Sequence, residues 1–172
     1  EGQGIPRSSL TLAWEFVTAS SESMHSDLLA MRDDALANVG GKGPELVVEK
    51  VTEYAKTNDG TGRPVDEYIG LELQGSFEVP NYLEHAKIGG FDGSQIHRDG
   101  KELPRAQGTR KPHFWVRIPH NALGGVPHGL VMYGHGLLNA GDEVDAGYNG
   151  KIANDHKLIF FATNLLGMCE DD

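Results

Sequence analysis

The chain has 172 residues, a formal net charge of −10 and a pI of about 5.2. Its length favours one domain, or one and a fraction, and its 38% hydrophobic residues suffice for a core. The acidic balance excludes nucleic acid and anionic membrane surfaces as main partners, because both require a basic patch. The 15 Lys and Arg residues form no run, so the acidic surface is interpreted as a solubility feature.

The single cysteine, Cys169, excludes an intrachain disulfide. This fits a reducing compartment or a bacterial secreted protein that has no disulfides. The longest apolar segment, 158–168, is shorter than the roughly 20 residues that span a bilayer, so no transmembrane segment is predicted. No signal peptide is visible. Because the chain begins with Glu1 rather than Met, we expect that part of the gene product precedes it.

Two elements are predicted near the N-terminus. Residues 9–18 alternate between apolar and other side chains, which is typical of a strand with one apolar face. A helix then begins near the N-cap candidates Ser20 and Ser21 and stops at Gly40. Its apolar stripe has helical spacing and is predicted to be core. The stripe consists of Met24, Leu28, Met31, Ala35 and Val39, broadened by Leu29 and Leu36.

Strands are predicted at 45–54 and 68–79, the second with a bulge near Gly75. The polar loop 56–64 between them is the best internal boundary. It divides the chain into an N-terminal strand–helix–strand extension, 1–66, and a second unit, 67–172. A hairpin with an Asp-Gly turn is predicted at 96–101.

Some polar residues in these loops have the chemistry of metal ligands. Asp59 and Asp66 could suggest calcium, but their spacing matches no EF-hand loop. His85, Asp92 and His97 are loosely spaced, which is a weak signal. Solvated turns and a surface loop are the favoured interpretations, so no metal and no cofactor is predicted.

The second unit contains the most informative segment. A strand at 113–118 is followed by a short apolar strand at 129–134 and by the turn Gly134-His135-Gly136. A helix from Asp142 to about Asp155 then leads to a second apolar strand at 158–163. Because a helix-length connection joins the two apolar strands, they are predicted to be parallel. Strand 129–134 is predicted to be an inner strand, flanked by 113–118 and 158–163.

This order of strand, Gly-His-Gly turn, helix and buried strand resembles the first half of an α/β-hydrolase. The segment Gly134-His135-Gly136-Leu137 is similar to the turn that supplies part of the oxyanion hole in that superfamily. Segments 12–20 and 28–36 are similar to the lead-in of secreted bacterial lipase- or esterase-like hydrolases. The resemblance implies an α/β fold with a mixed sheet, parallel core strands and an extracytoplasmic location.

The resemblance also implies roles for individual residues. Backbone N–H groups of Gly136, Leu137 and Leu138 would form the oxyanion hole, and the ring of His135 would shape the turn. His135 is not the expected general base, because in the family the base follows the nucleophile and the acid. No Gly-x-Ser-x-Gly nucleophile elbow occurs, and the last serine, Ser94, precedes the oxyanion strand. The chain is therefore expected to stop before the nucleophile.

Cys169 is the one substitute nucleophile within the chain, because 167–171 resembles an elbow with cysteine at its centre. Three features count against it: Asp171 replaces the closing glycine, no helix follows, and the carboxylates of residues 170–172 would raise the pKa of the thiol. Cys169 stays a minor candidate, and a loop cysteine is favoured.

Two functions from different classes are compatible with these observations. The first is the N-terminal part of a serine hydrolase that acts on carboxylic esters or lipids, with the missing C-terminal half of its own fold as its partner. The second is a non-catalytic α+β module that recognises a polymer or a protein through exposed aromatic residues such as Trp115 and Tyr148. The first is favoured, and for it this chain alone is predicted to be inactive.

Overall fold

The computed structural model describes residues 4, 6–12, 14, 16–88, 91–98, 100 and 103–169, which form a mixed α/β fold. The strands are β1 (Leu46–Glu53), β2 (Ile69–Phe77), β3 (Val79–Pro80), β4 (Leu83–Ile88), β5 (Phe91–Ile96), β6 (Thr109–Arg110), β7 (His113–Pro119), β8 (Gly129–Tyr133) and β9 (Leu158–Thr163). The α-helices are α1 (Ser21–Val39) and α2 (Gly147–His156). Short 3-10 helices cover Arg7–Ser9, Gly40–Lys42, His120–Ala122 and Gly141–Asp145.

The main sheet has five strands in the order β1-β2-β7-β9-β8. β8 and β9 are parallel, as predicted, with Leu130 opposite Ile159 and Met132 opposite Phe161. The other neighbouring pairs are antiparallel. The predicted inner position of β8 is wrong, because β9 lies between β7 and β8 and leaves β8 at the edge. A short apolar run predicts a strand but does not distinguish a central strand from an edge strand.

The core lies on one face of this sheet. Here α2 and the 3-10 helix Gly141–Asp145 pack against β2 and β9. The buried residues of this cluster are Ile69, Val144, Ala153, Phe160 and Ala162. The edge strand β8 contributes Val131 and Tyr133, which are partly buried against it. The helix-covered face therefore holds β8 and β9 in position for the segments that follow them.

The opposite face of the sheet is apolar and carries an open groove of about 440 Å³. Leu130 and Met132 on β8 are 72% and 57% exposed at its edge. Successive side chains of a strand point to opposite faces, so each of these apolar strands supplies both the core and the open groove. The groove is lined, among others, by Phe77, Phe114, Val116, Ile159 and Phe161.

The N-terminal region differs from two predictions. Within the described part of residues 9–18 there is no strand, and Leu12, Trp14 and Phe16 are more than 70% exposed. α1 has the predicted bounds, since Ser20 accepts the N–H of Ser23 and the N–H of Gly40 donates to Leu36. Its stripe is not core, because α1 contains no buried residue. Periodicity indicates which side chains share a helix face, but not what packs against that face.

Two further boundaries differ from the predictions. The helix predicted from Asp142 is divided, because Ala146 has a non-helical backbone (φ −52°, ψ 128°) between the 3-10 helix Gly141–Asp145 and α2. The described hairpin joins β4 and β5 rather than residues 96–101, of which Asp99 and Lys101 lie outside the described residues. The predicted bulge is on β1, opposite Gly75, where the register shifts between Val48 and Lys50.

Candidate functional site

The candidate site lies where β8 and β9 end. Because these strands are parallel, the turn 134–139 after β8 and the loop 164–169 after β9 emerge at the same edge of the sheet. The N–H of Leu138 donates to the carbonyl oxygen of Met168 over 2.8 Å, and Asn139 forms an isolated parallel bridge with Cys169. The two segments are therefore joined directly through their backbones.

The ring of His135 provides a second connection between the turn and the loop. It is buried, its Nδ1 lies 2.7 Å from the carbonyl oxygen of Gly136, and its Nε2 accepts the N–H of Leu165 over 2.9 Å. Since Nε2 accepts, the ring proton belongs on Nδ1, where it donates to Gly136. His135 thus holds the turn as a neutral ring with both nitrogens used.

The three amides expected to form an oxyanion hole have different surroundings. The N–H of Gly136 donates to the carboxylate of Glu143 over 2.6 Å. The N–H of Leu138 is occupied by Met168. The N–H of Leu137 has no hydrogen-bond partner among the described residues, and Leu137 is 73% exposed. Of these three amides, the N–H of Leu137 is the one that can donate a hydrogen bond to a ligand.

The turn itself is strained. Asn139 donates its N–H to the carbonyl oxygen of Gly136 over 3.2 Å, which closes a four-residue turn with Leu137 and Leu138 at its centre. Leu138 has φ +59°, a left-handed conformation that is unfavourable for residues other than glycine. Such residues persist where several contacts fix the backbone, and they are concentrated at functional sites.

Glu143 and Tyr133 were not among the predicted site residues, and Tyr148 was named only as a possible partner contact. Glu143 lies in the 3-10 helix Gly141–Asp145 and accepts hydrogen bonds from Gly136 and from the side chain of Asn139. The hydroxyls of Tyr133 and Tyr148 are 3.3 Å apart. This hydrogen bond, with burial and the charges of Tyr148 and Glu143, raises the pKa of Tyr133. No sequence signal indicates the contact between Glu143 and Gly136, because no single helix or strand spans both residues.

Cys169 is 2% exposed at the end of the loop 164–169. It lines a cleft of about 220 Å³ together with Arg110, Lys111 and His113. Residues 170–172, whose carboxylates entered the prediction for Cys169, lie outside the described residues. Because the backbones of Cys169 and Asn139 are bridged, the loop cysteine is part of the connection between the two segments.

A charged cluster lies behind the site on the helix-covered face. The buried guanidinium of Arg117 pairs with Glu72, with Asp66 at 3.1 Å and with Asp145 at 3.2 Å. The guanidinium carbon Cζ of Arg117 also lies 5.4 Å from the ring centroid of Tyr54, which is a cation–π geometry. Burial raises the pKa of Asp145 to about 6, against the opposing effect of Arg117. Three carboxylates around one cation leave this cluster with excess negative charge.

The possible metal ligands do not form a site within the described residues. Asp59 accepts from Thr61 and pairs with Arg63 at 2.7 Å, which is a closed turn. Asp66 accepts the N–H groups of Tyr68 and Ile69. Nδ1 of His97 lies 2.5 Å from the carboxylate of Glu84. No helix in the described part of the chain is long and apolar enough to cross a membrane.

The two aromatic residues considered for partner recognition are placed differently. Trp115 is partly buried and packs against the core cluster. Tyr148 is 60% exposed at the start of α2. Of the two, Tyr148 is the more exposed to a partner.

Comparison with protein-family models, with curated proteins and with solved structures finds no match. The functional interpretation of this chain consequently depends on the geometry of its own residues.

Proposed function

We propose that residues 67–172 form the N-terminal half of an α/β-hydrolase core, preceded by the extension 1–66, in an extracytoplasmic serine hydrolase that acts on carboxylic esters or lipids. The turn 134–139 supplies an oxyanion-hole donor, the N–H of Leu137. The nucleophile, acid and base belong to the partner half of the same fold. In acyl transfer, one such donor contributes about 2.7–4 kcal/mol of transition-state stabilisation.

The observation that carries this proposal is the free amide of Leu137 at the carboxyl end of a parallel strand pair. Parallel strands place ligand sites at this edge. The neighbouring amides of Gly136 and Leu138 are occupied, and His135 fixes the turn to Leu165. An amide that points at substrate must be held in position in this way, because a preorganised donor does not have to reorient during the reaction.

The open edge of β8 supports the same proposal. Parallel strands normally occur in sheets that are covered on both faces. Here β8 pairs only with β9 among the described strands, and the groove beside Leu130 and Met132 is uncovered. A further strand beside β8 and a covering layer over the groove would complete such a sheet.

The experiment compares the complete gene product with the 172-residue chain. Both are assayed for turnover of a short-chain nitrophenyl ester and for labelling by a fluorophosphonate, which reacts with an activated serine. We expect turnover and serine labelling in the complete product, with a Gly-x-Ser-x-Gly sequence at the labelled site. The chain alone is expected to match the buffer rate.

The Cys169→Ala variant of the chain is the control for a cysteine nucleophile. Turnover by the chain that is lost in this variant would make Cys169 the nucleophile and contradict the proposal. A complete gene product that neither hydrolyses esters nor reacts with the fluorophosphonate would contradict it as well.

A further inference from the structure

We infer that Glu143 is a positioning residue, whose carboxylate clamps both ends of the four-residue turn 136–139 so that the N–H of Leu137 remains the free donor. This inference rests on the proposed function, because it assigns a role within the same site.

The clamp is visible in the hydrogen bonds of the carboxylate. Oε2 of Glu143 accepts the N–H of Gly136 over 2.6 Å, and Oε1 accepts from the side-chain amide of Asn139. Gly136 and Asn139 are the first and last residues of the closed turn. One rigid, planar group therefore sets the distance between the ends of the turn. Hydrogen bonds to an ionised carboxylate are about twice as strong as those between neutral groups.

Glu143 is itself held firmly by the core. The adjacent Val144 is 1% exposed, and Gly141 donates its N–H to the buried side chain of Asn164 over 2.8 Å. The 3-10 helix Gly141–Asp145 is thereby anchored to the loop that follows β9. A side chain on such an anchored element can hold a strained turn, including Leu138 at φ +59°, in one conformation.

The occupied carboxylate argues for positioning rather than for proton transfer. Each oxygen of Glu143 already accepts a hydrogen bond from the turn. A carboxylate that faced a developing oxyanion directly would oppose catalysis, because the two charges repel. With its oxygens directed at Gly136 and Asn139, Glu143 contributes through the geometry of the turn.

The test measures the turn and the reaction separately. Amide hydrogen exchange of Gly136, followed by NMR, and kcat and KM for a nitrophenyl ester are all measured in the complete gene product. The variants are Glu143→Ala, Glu143→Gln and the matched control Asp142→Ala, an exposed carboxylate in the same 3-10 helix.

We expect Glu143→Ala to accelerate exchange of the Gly136 amide about tenfold or more, because a charge-assisted hydrogen bond is lost. The kcat should fall about tenfold to a hundredfold with little change in KM, since a displaced donor affects the transition state more than binding. Glu143→Gln keeps one acceptor oxygen and should be intermediate in both measurements. Asp142→Ala should leave both unchanged.

The outcomes are distinguishable. Unchanged Gly136 exchange in Glu143→Ala would overturn the clamp, whatever the enzyme does. Accelerated exchange with an unchanged kcat would overturn the positioning role and leave the proposed function intact. A gene product without esterase activity would overturn the proposed function and this role together.

Discussion

Asp145 shows how a single carboxylate couples the stability of the fold to pH. It is 42% exposed on its side chain, lies 3.2 Å from Arg117 and shares that cation with Glu72 and Asp66. Burial, with the repulsion of Glu72, Asp142 and Asp66, outweighs the attraction of Arg117 and raises the pKa of Asp145 from 3.8 to about 6. The folded protein therefore holds the proton of Asp145 more tightly than the unfolded chain does.

The sign of the pH dependence follows from this raised pKa. The contribution of Asp145 to stability is fully present below the unfolded pKa of 3.8 and is lost as pH rises through about 6. Asp145→Asn mimics the protonated form at every pH. We expect the free energy of unfolding of this variant, measured in urea, to increase relative to that of the wild type as pH rises from 4 to 7.

A control of opposite sign is Asp155→Asn. The hydrogen bonds from Lys151 and Asn154 lower the pKa of Asp155, so this exposed carboxylate contributes stability above its unfolded pKa. The free energy of unfolding of Asp155→Asn should decrease slightly relative to that of the wild type as pH rises. If the free energies of unfolding of Asp145→Asn and the wild type differed by the same amount from pH 4 to pH 7, the charged form of Asp145 would not be disfavoured in the fold.

The 3-10 helix Gly141–Asp145 connects the core to the candidate site. Gly141 lies against the ring of Trp115 so closely that an added Cβ would be 2.7 Å from it and 3.1 Å from the backbone of Thr163. We expect Gly141→Ala to destabilise the fold by about 1–3 kcal/mol, because backbone and a packed ring must both move. Thermal or urea unfolding measures this change.

Gly147→Ala provides the matched control. Gly147 is the first residue of α2, and an added Cβ there would meet nothing within 4 Å. Alanine is also the better helix former, by up to about 1 kcal/mol. Stability should therefore be unchanged or slightly higher. Equal effects of the two substitutions would contradict the close packing of Gly141 against the sheet.

Local signals predicted most elements because they are short-range properties of the chain. Ser20 and Gly40 delimit α1 through cap interactions with residues three or four positions away. Alternation predicted β7, and the apolar run after Lys157 predicted β9. The missed features depend on distant contacts. The edge position of β8 is decided by the placement of β9, and the partial exposure of the α1 stripe by its loose packing beside Val79 and Tyr82.

In the candidate site, too, local features were predictable and features that depend on distant contacts were not. The glycines around His135 indicated a sharp turn with directed amides, and the structure places that turn at the carboxyl edge of β8. The occupied amide of Leu138 and the acceptor for Gly136 could not be predicted. Each depends on a residue from another segment, Met168 in the first case and Glu143 in the second. Backbone hydrogen bonds of loops are fixed by tertiary contacts that periodicity does not encode.

Considered as a whole, the molecule has one completed face and one open face. α2 and the 3-10 helix Gly141–Asp145 cover the first, whereas no described part of the chain covers the apolar groove lined by Phe114, Val116 and Phe161 on the second. An exposed apolar face next to a free strand edge favours association with further structure. This supports the proposal that the catalytic partner half packs here, and for the same reason we expect the isolated chain to be poorly soluble.

The most direct measurement of the proposed function is the effect of Leu137→Pro on kcat in the complete gene product. Leu137 is the second residue of the closed turn, a position that favours proline, so the substitution removes the N–H and keeps the turn. We predict that kcat for a nitrophenyl ester falls about 100-fold to 1,000-fold, the effect of losing one oxyanion donor. Leu137→Ala keeps the N–H and should lose less than about tenfold. Equal activity of the proline and alanine variants would contradict the assignment of Leu137 as the oxyanion donor.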